Sequence, residues 1–117
     1  MSLLTLASGN SISRGYDYFA GKKIESFQKL DDDNYHAIVA GSGGKTYETT
    51  IDILHPRRST CTCPHANGRR IICKHMVALY FTVFPNEAKQ YIAACAAAEE
   101  EEEQRQEQMI RYIRKLN

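Results

Sequence analysis

The chain has 117 residues, a net charge of +1, four cysteines and no tryptophan. That length allows one domain with a tail and a modest core, so any covalent or metal staple would weigh heavily in its stability. No apolar run reaches membrane-spanning length, and the net charge is uninformative on its own, whereas its distribution is not.

Met1-Ser2-Leu3-Leu4 lacks the basic and long apolar parts of a signal peptide and is open to reading either as a cloning scar or as native chain. A cytoplasmic location is the expectation, and there thiols stay reduced. Ile12, Tyr16 and Phe19 recur at i, i+4, i+7 and predict a short amphipathic helix over about 11–20, with Asn10 or Ser11 capping its start and Gly21 closing it. Gly15 inside this helix costs about 1 kcal/mol relative to alanine. Three strands are expected next, from Ile24 to Leu30, from Tyr35 to Ala40 and through Tyr47, Thr49, Ile51 and Ile53, joined by the turn formers Asp31 to Asn34 and Gly41 to Gly44. His55-Pro56 interrupts this meander, and Ser59 to Cys63 is expected to return as a short fourth strand.

Met76, Leu79, Tyr80 and Val83 mark a helix face that Pro85 ends near Phe84. A second helix is expected to open at Pro85 or Asn86. Glu99 to Gln108 is helix-forming without an apolar stripe, and Met109, Ile110, Ile113 and Leu116 restore one. The expected fold class is α+β: a small antiparallel β-meander with an N-terminal helix, a ββα-type metal unit and a C-terminal helical tail. The expected organisation is a domain over 1–84, with its metal unit at about 51–84, and a charged helical extension over 85–117.

Cys61, Cys63, Cys73 and His75 lie within fifteen residues as C-x-C and C-x-H, separated by nine residues. On an extended strand, side chains at i and i+2 point to the same side, so Cys61 and Cys63 can aim at one point from a strand end. On a helix i and i+2 diverge. Cys73 is therefore expected before the helix or in its first turn, with His75 just inside. Three thiolates and an imidazole are the ligand set of a closed tetrahedral zinc site, with zinc about 2.3 Å from sulfur and about 2.0 Å from nitrogen. The expectation is one structural Zn²⁺, no catalytic water and no enzymatic activity. Two disulfides are the alternative in a secreted protein. His65 follows Cys63 too closely to join the set, His36 and His55 lack partner spacing, and Cys95 falls on a helix face as a small apolar residue.

The pattern resembles the SWIM zinc finger, in Cys61-Thr62-Cys63-Pro64 and Cys73-Lys74-His75-Met76. Upstream, Ser13-Arg14-Gly15-Tyr16-Asp17-Tyr18-Phe19-Ala20-Gly21 looks like the helix that precedes the meander in bacterial members, so the resemblance covers about residues 10–84. It implies a ββα zinc unit of a kind that occurs in bacterial proteins, Snf-type helicases and Mutator-type transposases, with DNA or protein as partner. No Walker-type loop accompanies it in these 117 residues.

Between Asp52 and Glu87 no residue is acidic, while Arg57, Arg58, Arg69, Arg70 and Lys74 all fall there. Such cations bind phosphate by charge without reading sequence. The same charges can instead balance the net negative charge of a three-thiolate zinc centre. DNA binding through this basic surface is the first expectation, with Arg69 and Arg70 foremost. A protein–protein adaptor using the zinc unit and the C-terminal helix is the alternative. No membrane and no small-molecule substrate are expected.

Overall fold

The computed structural model describes residues 2–116. They fall into two compact units, Met1–Pro85 and Asn86–Asn117. The first is an α+β unit. Helix α1 (Leu3–Leu6) precedes α2 (Gly9–Ala20), followed by strands β1 (Ile24–Lys29), β2 (Asn34–Ala40), β3 (Thr46–Asp52) and β4 (Thr60–Cys61), then helix α3 (Lys74–Val83). The strands form one antiparallel sheet in the order β1-β2-β3-β4.

The sheet is a meander because each connection is short and built for reversal. Between β1 and β2, the Asp31 carboxylate accepts the N–H groups of Asp33 and Asn34, each at 2.8 Å, an Asx-type turn. Asp31 is fully exposed, and its carboxyl is held below the ordinary value first by the Asn34 side-chain amide. Register then follows from alternation: Ala37 faces Thr49, Val39 faces Tyr47, and Thr49 faces Cys61 on β4. Ala37, Val39, Thr49 and Ile51 are fully buried, so one face of β2 and β3 supplies the sheet's half of the core. Strand β1 differs. It lies at the sheet's edge with a register irregularity between Ile24 and Ser26, and all of it after Ile24 is exposed.

Helix α3 supplies the other half. From His75 to Phe81 every residue is buried, a pattern of a helix covered all round. It packs on α2, on α1 and on all four strands. Phe81 sits between Tyr16 and Phe19 of α2, with ring centroids at 6.1 and 6.0 Å. Gly15 explains how closely the two helices approach. A Cβ there would lie 2.5 Å from Val77 Cβ and 2.9 Å from the Lys74 carbonyl oxygen. The helix-weakening glycine is therefore a contact point.

One expectation is corrected at the N-terminus, and one open reading is filled in. Helix α2 starts earlier than 11, because Ser8 is its cap: the Ser8 hydroxyl accepts the Ser11 N–H at 3.1 Å. Leu3, in the segment that the sequence left open between a cloning scar and native chain, is 1% exposed and belongs to the core through α1, a helix of four residues that is too short to show periodicity. Elsewhere the strand bounds agree within one or two residues, with β4 trimmed at both ends to Thr60–Cys61.

Asn86–Asn117 is a unit of its own, formed by most of helix α4 (Pro85–Lys115). Pro85 opens this helix, where its missing N–H costs nothing. The run Glu99–Glu103 is solvated, with Arg105 3.8 Å from Glu102. Met109, Ile110, Ile113 and Leu116 are exposed. No helix among the described residues is long and apolar enough to cross a membrane.

Candidate metal centre

The four chemistry-bearing side chains arrive from two directions. Cys61 ends β4, opposite Thr49. The strand pair is prolonged by Thr62, whose N–H donates to the Glu48 carbonyl at 3.0 Å and whose hydroxyl accepts the Glu48 N–H at 3.0 Å. This carries the extended conformation to Cys63, so both thiols emerge on one side. Pro64 then ends the ladder, and the Cys63 carbonyl accepts the N–H groups of Ala66 and Asn67 in a tight turn. Gly68 takes a positive φ of 72°, a conformation that glycine adopts without steric cost. Cys73 is the N-cap of α3 with extended backbone angles, and His75 is the second residue of the helix. The change from extended to helical backbone between them lets an i, i+2 pair converge.

The ligand atoms of Cys61, Cys63, Cys73 and His75 all lie within 4.8 Å of one another, and all four residues are buried. The Nδ1 atom of His75 is 3.7 Å from Cys61 Sγ and 3.8 Å from Cys73 Sγ. A zinc tetrahedron with one nitrogen and three sulfur ligands has N···S edges of about 3.6 Å. The donor atoms are thus spaced for one ion, with Nδ1 as the histidine ligand.

Electrostatics agrees. The Cys61 thiol is lowered to about 3, first because the Cys73 thiol donates to it, with His75 and the Thr49 hydroxyl adding to this. Cys73 is raised, because its proton holds the Cys61 thiolate and because it is buried. Burial also raises Cys63. A divalent cation supplies the countercharge that lets the three thiols ionise together. Backbone N–H groups of Cys63, Ala66 and Met76 already favour the thiolates of Cys61, Cys63 and Cys73 respectively. These features fit one structural Zn²⁺ in a closed shell.

Other expected residues fall outside the cluster. His65 is exposed and Cys95 partly exposed. His36 lies 3.8 Å from Glu48, and His55 lies 3.8 Å from Asp52. Three contributors were not singled out by sequence reasoning. Thr49 Oγ1 is 3.2 Å from Cys61 Sγ, and the rings of Tyr18 and Tyr47 pack on His75 at 5.3 and 4.9 Å. The alternation of β3 marks Thr49 as inward-facing, but only the β3–β4 register puts it beside a thiol.

The basic residues divide. Arg57, Arg58, Arg69 and Arg70 line one surface groove of about 440 Å³, together with Thr62 and Asn67. No acidic residue lines it, and none of the ion pairs among the described residues involves these four arginines. Lys74 is elsewhere: its Nζ lies 5.0 Å from the ring centroid of Tyr18.

Residues 44–84 match the family model of the SWIM zinc finger. No curated protein and no solved structure matches the chain. The ligand geometry and the family match converge on the same residues, and the chain carries a SWIM zinc finger over 44–84 whose Cys61, Cys63, Cys73 and His75 fit a single structural Zn²⁺.

Proposed function

We propose that this protein is a cytoplasmic, non-enzymatic recognition module that binds DNA through the arginine groove beside its zinc centre. The observation that carries this reading is the gathering of Arg57, Arg58, Arg69 and Arg70 around one groove without an acidic neighbour. Guanidinium groups so placed contact phosphates in a sequence-independent way and release counterions as they do so. The closed set of four ligands supports a non-catalytic role, since zinc that activates water keeps an open position.

The test is affinity for duplex DNA as a function of salt. Affinity falls steeply with rising salt. In the Arg69→Ala/Arg70→Ala variant the slope of log K against log [salt] is shallower by about 2, roughly one unit for each phosphate that the variant no longer neutralises. Absence of binding at low salt, or an unchanged slope in the variant, contradicts the reading. A protein-adaptor role is the second reading, favoured by the exposed Met109, Ile110, Ile113 and Leu116 near the end of α4. Apolar side chains at that helical spacing suit a partner helix.

A further inference from the structure

The two edges of the sheet differ. At β4 the outermost strand is two residues long and runs into the metal loop, a length that offers little to another strand. At the other edge β1 has six residues, all exposed after Ile24. The hydrogen bonds tell which backbone groups are free there. Leu30 donates its N–H to the Asn34 carbonyl at 2.8 Å, one step beyond the pair of Lys29 with Tyr35. Along an antiparallel strand, residues alternate between bonding a given neighbour and pointing away from it. Gln28 and Ser26 therefore bond to β2, whereas Phe27 and Lys29 direct their N–H and C=O groups to the open edge.

The side chains of β1 select the strand that fits this edge. Phe27 pairs with the fully buried Ala37, so its ring lies on the core-facing side of the sheet. It is nonetheless 49% exposed, since no strand lies beyond β1. Glu25 and Lys29 stand two residues to either side of it. A second copy of β1, antiparallel and centred on Phe27, sets the two Phe27 rings opposite each other and sets Glu25 opposite Lys29 at both ends. Aromatic pairs and opposite charges are favourable cross-strand neighbours. The strand is thus its own complement, as a two-fold interface requires. Both charges are available. Among the described residues Glu25 takes part in no ion pair, and the 3.7 Å pair of Lys29 with Asp32 is solvated on both sides and weak. The register irregularity between Ile24 and Ser26 keeps the regular stretch short, so the contact is small and concentration-dependent.

We propose that two copies of this chain pair through β1, in antiparallel register centred on Phe27, to continue the sheet across a two-fold axis. Thr60 and Cys61 of β4 line the arginine groove, so it lies toward the opposite edge and stays open in both copies. The pairing does not rest on the DNA-binding reading.

The test is sedimentation equilibrium of the zinc-loaded full chain without DNA, with amide hydrogen exchange at low and high protein concentration. A monomer–dimer equilibrium is expected, in which the Phe27 and Lys29 amides become protected as concentration rises and that of Gln28, already bonded to β2, does not change. Lys29→Glu places carboxylates opposite each other at both ends and is expected to raise the dimer dissociation constant by at least about tenfold, with zinc content unchanged. Glu25→Lys/Lys29→Glu restores the dimer although the contact with Asp32 is still lost, which separates the cross-strand pair from local effects. Ile113→Asp, in the exposed apolar stretch of α4, leaves the dimer intact. A chain that stays monomeric at millimolar concentration overturns the proposal. So does a dimer that tolerates Lys29→Glu, that is not restored by the charge swap, or that is lost in Ile113→Asp.

Discussion

Thr49 carries more of the metal centre than its chemistry suggests. Its hydroxyl sits fully buried beside Cys61 Sγ, in the position of an outer-shell partner that favours the thiolate. Such partners typically tune metal affinity by 10–100-fold. Thr49→Val keeps the shape and removes the hydroxyl, so zinc affinity is expected to fall by about tenfold or more on a competitive chelator titration, with the far-ultraviolet circular dichroism of the loaded protein unchanged. Equal affinity would show that Thr49 only fills space. Replacing a ligand is harsher. Cys73→Ser or His75→Ala leaves an open shell and is expected to abolish cooperative melting of the zinc unit. At this scale the ligand set was legible from the chain alone, because strand and helix geometry dictate which side chains at i and i+2 converge. Thr49, Tyr18 and Tyr47 were not, since their neighbours are set by strand register and by the docking of α2, which no local pattern encodes.

Between elements, the contact of α2 with α3 is the tightest constraint. Helix propensity alone favours alanine at position 15. The structure favours the opposite, since a Cβ meets Val77 and the Lys74 carbonyl oxygen inside van der Waals distance. Gly15→Ala is therefore expected to destabilise the fold by about 1–3 kcal/mol, as other overpacking substitutions do. Chemical denaturation measures this, and a stabilised variant would mean that the helices can part without penalty. Because Lys74 and His75 stand at the start of α3, the same variant is expected to weaken zinc binding. The strands and α3 were legible because alternation and a proline stop are local signals. Helix α1 was not: four residues are too few for periodicity, and Leu3 is buried by tertiary packing. The exposed edge strand β1 shows the converse. Its sequence reads as a strand, yet every residue after Ile24 is exposed.

At the scale of the molecule, zinc binding and folding of the Met1–Pro85 unit are expected to be coupled. Burial raises the Cys63 thiol, and the hydrogen bond to Cys61 together with burial raises that of Cys73, so the loaded form is expected to gain stability from the countercharge that a divalent cation brings. The pH dependence follows. Cysteine in an unfolded chain titrates near 8.5, and zinc holds the folded thiols ionised well below that. The stabilisation is therefore complete above about pH 8.5 and is lost as pH falls through the lowered values of the metal-bound thiols. Melting temperature is expected to drop on acidification together with zinc content, and a melting temperature that stays level while zinc is released would uncouple the two.

The most direct measurement is metal analysis of the purified, reduced chain, followed by circular dichroism during chelation. One zinc per chain, with cooperative unfolding of the Met1–Pro85 unit as the chelator removes it, is the predicted result. A metal-free chain that is fully ordered, or a disulfide between any two of Cys61, Cys63 and Cys73, would contradict it.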